Sequence, residues 1–222
     1  SDLIICGTQS ISKEINSGGT GHCYDANITN YRKENGMSEV PWRIVVTLDG
    51  NDVPFEAAQF THPDMTSMFY TTQFGVEKIL EKSNKEVVVI GPFDSVEKVS
   101  LENFIFDSKK SYAIVTNTNK EFNNRIGLCI LKKMGINKLL IESPTVTHIF
   151  MQERLLDELF LNQSGIYIGG KATSIGNNCS SFSSLDHPHA ELVSIYMYNP
   201  YFIYNRYRLK YDWGKKMKYT LS

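Results

Sequence analysis

The residues best placed to do chemistry lie in one short stretch, Lys138-Leu139-Leu140-Ile141-Glu142 followed by Ser143-Pro144 and Thr145. An apolar run, a turn and a capping residue in that order predict a strand, a turn and a helix start. A helix start leaves free N–H groups and the positive end of its dipole, which suits a phosphate. The same pattern also describes an ordinary structural crossover, of which an α/β protein has several. His187-Pro188-His189, with Cys179 and Asp186, offers metal-binding residue types. Histidines two apart astride a proline have no matching ligand pair elsewhere, so the expectation is a solvated loop and no metal. His22 and Cys23 are adjacent, so they rarely face each other usefully, and no orienting partner stands near them. His148 is expected at the surface or half-buried on the helix after the Ser143 turn. From Tyr204 to the end, six basic residues face one acidic, interleaved with Tyr207, Tyr211, Trp213 and Tyr219. Such a tail can stack on single-stranded nucleic acid or form a final strand with a solvated basic end, and the overall charge favours the second.

The elements that position these residues follow from periodicity. Leu3 to Cys6, closed by Gly7, is a buried strand. Residues 16–40 are polar and Gly-rich without apolar period and read as a long loop. Strands are expected at 43–48, ending at Asp49-Gly50, and at 67–72, then a helix presenting Val76, Ile79 and Leu80. Further strands are expected at 86–90 and 112–115. A helix carrying Phe122, Ile126, Cys129, Ile130 and Met134 follows, with Gly135 as its C-terminal stop. After strand 138–141, Thr145 caps a helix with Val146, Ile149 and Phe150 on its apolar face. Strands at 158–161, 191–198 and 202–209 close the chain, the last two as an antiparallel hairpin around Asn199-Pro200-Tyr201. The fold class is α/β: a mostly parallel mixed sheet flanked by helices, with a C-terminal antiparallel hairpin. Ligands of such sheets bind at the carboxyl ends of the parallel strands.

Composition sets the outer bounds. The chain has 222 residues, 41% apolar and 21% charged, with 23 Lys+Arg against 24 Asp+Glu. That is ordinary globular usage, large enough for one sizeable core, and no repeat or linker divides it. The charge of -1 speaks against a dedicated nucleic-acid or membrane-surface protein. No apolar run is long enough to span a bilayer. Cys6, Cys23, Cys129 and Cys179 are scattered without a C-x-x-C pair, which fits a reducing compartment, the cytoplasm. Cys6 and Cys129, in apolar runs, are expected as buried thiols.

Taken in order, several segments resemble the dihydrofolate-reductase-like family, nearest to the C-terminal reductase domain of bacterial RibD. A G-x-x-T strand end matches Gly7-Thr8-Gln9-Ser10, and a V-V-L-D strand matches Val45 to Asp49. A Thr-Thr strand end matches Thr71-Thr72. The V-E-G-G-P-T helix opening matches Ile141-Glu142-Ser143-Pro144-Thr145, and L-V-D-E-L matches Leu155 to Leu159. Gly169-Gly170 and the closing L-x-R-Y strand, Tyr204 to Tyr207, complete the set. The resemblance covers nearly the whole chain, and its specificity lies in the order of the motifs.

This resemblance implies one dihydrofolate-reductase-like domain over residues 1–222 and an NADPH site along the carboxyl edge of its sheet. The implied activity is a riboflavin-pathway reductase. It would transfer hydride to a 5-amino-6-(5-phosphoribosylamino)uracil-like pyrimidine or a related pterin-like substrate. Gly7 and Ser10 would face the nicotinamide side, and Thr71 and Thr72 the adenosine side. Glu142, Ser143 and Thr145 would line the phosphate turn, with Gly169 and Gly170 flanking the cofactor. No proton donor is identified. Family members dimerise, so a homodimer is expected, with no nucleic-acid or membrane partner. Two departures stand out. The family's Gly-Gly turn is reduced here to Ser143, whose side chain occupies a place where glycine permits close backbone approach. The family's first strand, with its [ST]-x-D-G segment, has no counterpart before Ser1, so the chain is expected to lack it. The alternative is a non-catalytic relative that binds a nucleotide-like ligand or a protein partner.

Overall fold

The computed structural model describes residues 1–16, 26–61, 66–102, 104–107, 109–166, 175–176, 179–183 and 186–212. The chain divides into two compact units, Ser1–Ser143 and Pro144–Ser222.

The first unit is a parallel sheet with helices between its strands. In chain order it runs β1 (Leu3–Gly7), α1 (Thr8–Asn16), α2 (Ala26–Glu34), β2 (Trp42–Val46), α3 (Ala58–Thr61) and β3 (Ser67–Thr71). Then come α4 (Gln73–Lys82), β4 (Val87–Ile90), β5 (Ser111–Val115), α5 (Asn124–Lys133) and β6 (Leu139–Glu142). The six strands lie in the order β4-β5-β3-β2-β1-β6, all pairs parallel. Strands buried on both faces read as continuous apolar runs, and so β3 and β5 are buried at every residue.

Alternation along β3 divides the core. Phe69 packs with Phe55 and Phe60 on one side, the Phe60 and Phe69 rings stacked at 5.2 Å, over Val45, Val76 and Ile79. Tyr70 turns the other way and meets α5, where its hydroxyl donates to Asn124 Oδ1 at 3.0 Å. Ile126, Ile130 and Leu131 of α5 are buried. Gly135 adopts φ 90° just past the α5 C-cap, as its stop role requires.

The second unit holds α6 (Pro144–Gln152) and β7 (Glu158–Ser164), β8 (His189–Asn199) and β9 (Phe202–Lys210). These strands form an antiparallel sheet of their own in the order β7-β9-β8, with register shifts in β8 between Leu192 and Ser194 and between Met197 and Asn199. The α/β class, the mainly parallel sheet and the closing hairpin are borne out.

Several local expectations need correction. Residues 16–40 are not one loop, because α2 occupies Ala26–Glu34. Its fixed point is polar: Arg32, 6% exposed, donates from Nε to Ser38 O at 2.7 Å and from Nη1 to Ser1 O at 2.9 Å. A helix held by a guanidinium shows no apolar period to read. Leu80 lies on the exposed side of α4, away from Val76 and Ile79. Cys6 is buried, whereas Cys129 is only half-buried, its thiol 3.8 Å from Val96 O. His148 is buried, its Nε2 2.8 Å from Ser180 O and its ring 4.7 Å from that of Phe182. Helix α6 begins at Pro144, so Thr145 lies within its first turn and does not cap it.

Candidate functional site

Strand β1 sits between β2 and β6. The chain leaves β1 through α1 and α2 to β2 on one side, and β5 returns through α5 to β6 on the other. The carboxyl ends of β1 and β6 therefore mark a topological switch point, the place where open α/β sheets hold ligands. The register pairs Cys6 with Glu142, so the next residues out are Gly7 and Ser143. A Cβ on Gly7 would stand 3.3 Å from Ser143 Oγ, so the missing side chain is what leaves space beside that hydroxyl. Ser143 is 8% exposed. Helix α1 begins immediately at Thr8, presenting first-turn amides that have no partner within the helix. Ser10 is half-buried in that turn.

Thr71 ends β3, Thr72 follows it, and both are fully buried. The Thr72 hydroxyl donates to Leu48 O at 2.9 Å and accepts from Phe74 N at 3.3 Å, capping α4. Thr71 Oγ1 has no hydrogen-bond partner among the described residues. Leu48 and Phe74, the partners of Thr72, line a groove of about 630 Å³ together with Asp49, Asn51, Glu77, Lys78, Glu81 and Lys120. Phe74 is 52% exposed, and Lys120 Nζ stands 4.9 Å from its ring centre. Hydrogen bonds from the backbone and side chain of Asn51 hold the Asp49 carboxyl below its usual range, with Lys120 adding to the effect. Lys78 is paired with Glu81 at 2.8 Å. The residue pattern did not single out this groove. Its signal was the mixed charge following the strand ends, Asp49 after β2 and Lys120 after β5.

Of the expected site residues, Gly7 and Ser143 come together, Ser10 lies three residues beyond Gly7 in α1, and Thr72 holds two residues of the groove. Glu142 is exposed at the end of β6, and Thr145 is exposed on α6 in the second unit. Gly169 and Gly170 lie outside the described residues, as do His22, Cys23, Trp213 and Tyr219. Asp186 is engaged by Arg154 at 2.7 Å, and the His187 and His189 rings lie 4.7 Å apart. None of the described helices is long and apolar enough to cross a membrane.

No protein-family model and no curated protein matches the sequence. Solved structures do. A pyrimidine-reductase-like protein from Corynebacterium diphtheriae matches with a TM-score of 0.61 at 18% identity, over 96% of this chain and 77% of its own. RibD of Acinetobacter baumannii matches at 0.56 and 16% identity, over 95% of this chain and 47% of its own. A diaminohydroxyphosphoribosylaminopyrimidine deaminase/5-amino-6-(5-phosphoribosylamino)uracil reductase from Thermotoga maritima matches at 0.56 and 12% identity, over 93% and 45%. This chain thus spans under half the length of the last two. The resemblance carried by the ordered motifs is borne out at the level of the fold.

Proposed function

We propose that the chain is a nicotinamide-dinucleotide-dependent reductase of the riboflavin-pathway type, acting on a pyrimidine or pterin-like substrate. One observation carries the reading: nearly buried Ser143 sets its hydroxyl beside Gly7, at the switch point of a sheet whose fold is shared with pyrimidine-reductase-like proteins. The residues fit a diphosphate. The Ser143 hydroxyl and the first-turn amides of α1 donate to phosphate oxygens, and Gly7 gives the backbone room to approach. The groove beside Thr72 takes the adenosine end. Phe74 offers a ring face to the base, and Lys120 offers a cation to a 2′-phosphate, as in NADPH. Thr72 holds Leu48 and Phe74, which wall that groove, in place. When bound, the nicotinamide supplies a hydride. The protein orients it and excludes water around it.

A second reading, a relative that binds a nucleotide-like ligand or a protein without turnover, has its own support. Asp49, Glu77 and Glu81 outnumber Lys78 and Lys120 around the groove. Gly7, Ser10 and Ser143 also include no acid that ionises near neutral pH.

Calorimetric titration of NADPH and NADH into the wild type and into Ser143→Val separates the readings. The reductase reading expects micromolar NADPH binding, weakened at least about tenfold by a lost charge-assisted hydrogen bond and a filled crevice. It also expects NADPH oxidation with pyrimidine ribosides. Binding without turnover of any such substrate favours the second reading, and equal affinity of both proteins removes the crevice from the account.

A further inference from the structure

We propose that Gln59 anchors an internal water site at the amino ends of β2, β3 and β5. Register and alternation define the place. Arg43 of β2 pairs with Ser67 of β3, and Met68 of β3 pairs with Tyr112 of β5, which sets Ser111 level with Ser67. Two residues further along the strands, Val45, Phe69 and Ala113 form the next row on the same face, the one that packs with Phe55 and Phe60. Arg43, Ser67 and Ser111 therefore make a polar row beside an apolar one, and all three are buried at 3% exposure or less. Gln59 belongs to this end of the sheet, because the Ser67 hydroxyl donates to its backbone carbonyl.

The Gln59 side chain is the group that requires a ligand. It is 3% exposed, and neither its Oε1 nor its Nε2 has a hydrogen-bond partner among the described residues. A primary amide brings two donors and an acceptor with two lone pairs. Each buried group left unpaired lowers the folding equilibrium roughly five- to 150-fold, and buried polar groups are therefore ordinarily satisfied. Packing gives no reason for glutamine here. Methionine has a similar length and helix propensity and carries no group that must be hydrogen-bonded. Water is the ligand that fits. It donates and accepts, as the amide requires, and a buried water makes about three hydrogen bonds to such groups. Two hydroxyls and a guanidinium at the same end of the same face offer it further partners. The Gly7–Ser143 crevice lies at the carboxyl end of its strands, so the inference is independent of the reductase reading.

The test is water-selective NMR on the full isotope-labelled chain, with Gln59→Met as the reference that identifies the Gln59 Nε2 resonances. The expected result is a pair of Gln59 amide protons whose cross-peaks to water carry the sign of a long-lived bound molecule. In urea unfolding, Gln59→Met should lower the folding equilibrium constant by at least about fivefold, because the water's other partners lose a hydrogen bond they relied on. An amide without any ligand predicts the opposite sign, a gain of about fivefold or more when it is removed. Absence of water cross-peaks at Gln59 Nε2 would overturn the proposal. So would a Gln59→Met protein as stable as the wild type or more so. Chloride NMR line broadening that Gln59→Met abolishes would also overturn it, by placing an anion beside Arg43 instead of water.

Discussion

Gly127 lies inside α5, where general helix energetics and this structure give opposite signs for one substitution. Alanine is favoured over glycine by about 1 kcal/mol in a helix interior, so Gly127→Ala on propensity alone should stabilise. The geometry says otherwise. A Cβ at Gly127 would overlap the Tyr70 hydroxyl and the adjoining ring edge. Tyr70 has nowhere to retreat: it is 2% exposed in β3, and its hydroxyl is bonded to Asn124 of the same helix. Overpacking of this kind costs about 1–3 kcal/mol, and shifting the phenol forfeits a hydrogen bond worth about 1 kcal/mol. Set against the propensity gain, the net loss is about 1–3 kcal/mol. At about 2–4 °C per kcal/mol for a chain of this size, the melting temperature falls by roughly 2–12 °C. Thermal and urea unfolding read it directly, and Gly127→Ala/Tyr70→Leu should recover part of the loss by clearing the overlap. A more stable Gly127→Ala protein would refute the packing of α5 on β3 described here.

Thr72→Ala removes both the α4 cap and the bond to Leu48, and should cost about 1–2 kcal/mol in urea unfolding, whereas Thr72→Ser keeps the hydroxyl and most of the stability. Asp2 anchors the start of β6, its carboxylate accepting from Asn137 N at 2.9 Å and Lys138 N at 3.0 Å. Burial pushes its pKa up, but those two backbone bonds outweigh it and hold the folded pKa below the ordinary value. A carboxylate with a depressed folded pKa stabilises fully above its unfolded pKa, near about 3.9, and loses that contribution as pH falls through the folded value. Asp2→Asn should therefore melt below the wild type from pH 5 to 8, with the gap closing below about pH 4. A gap that persists at pH 2 would contradict the assignment.

The central parallel strands were legible because they are largely buried on both faces and so appear as unbroken apolar runs, as in Leu3 to Cys6 and Tyr112 to Val115. Strand ends moved by one to three residues, which periodicity cannot fix. Helix α2 was hidden because its anchor is Arg32, and polar anchoring leaves no hydrophobic rhythm. The pairing of Gly7 with Ser143 is a long-range consequence of strand order. Motif resemblance pointed to both residues, while the closeness of the Ser143 hydroxyl to Gly7 emerges only from the geometry. The groove of Phe74 and Lys120 gathers residues from separate strand ends, a convergence invisible to local spacing.

The central claim is that a dinucleotide diphosphate sits between Gly7, Ser143 and the first turn of α1. Amide hydrogen exchange of this chain with and without saturating NADPH tests it most directly, because it reports location as well as binding. The expected result is slowed exchange at Thr8 to Ser10 and at Ser143, with the amides of β4 unchanged. No protection at those residues, or protection confined to another part of the chain, would contradict the account.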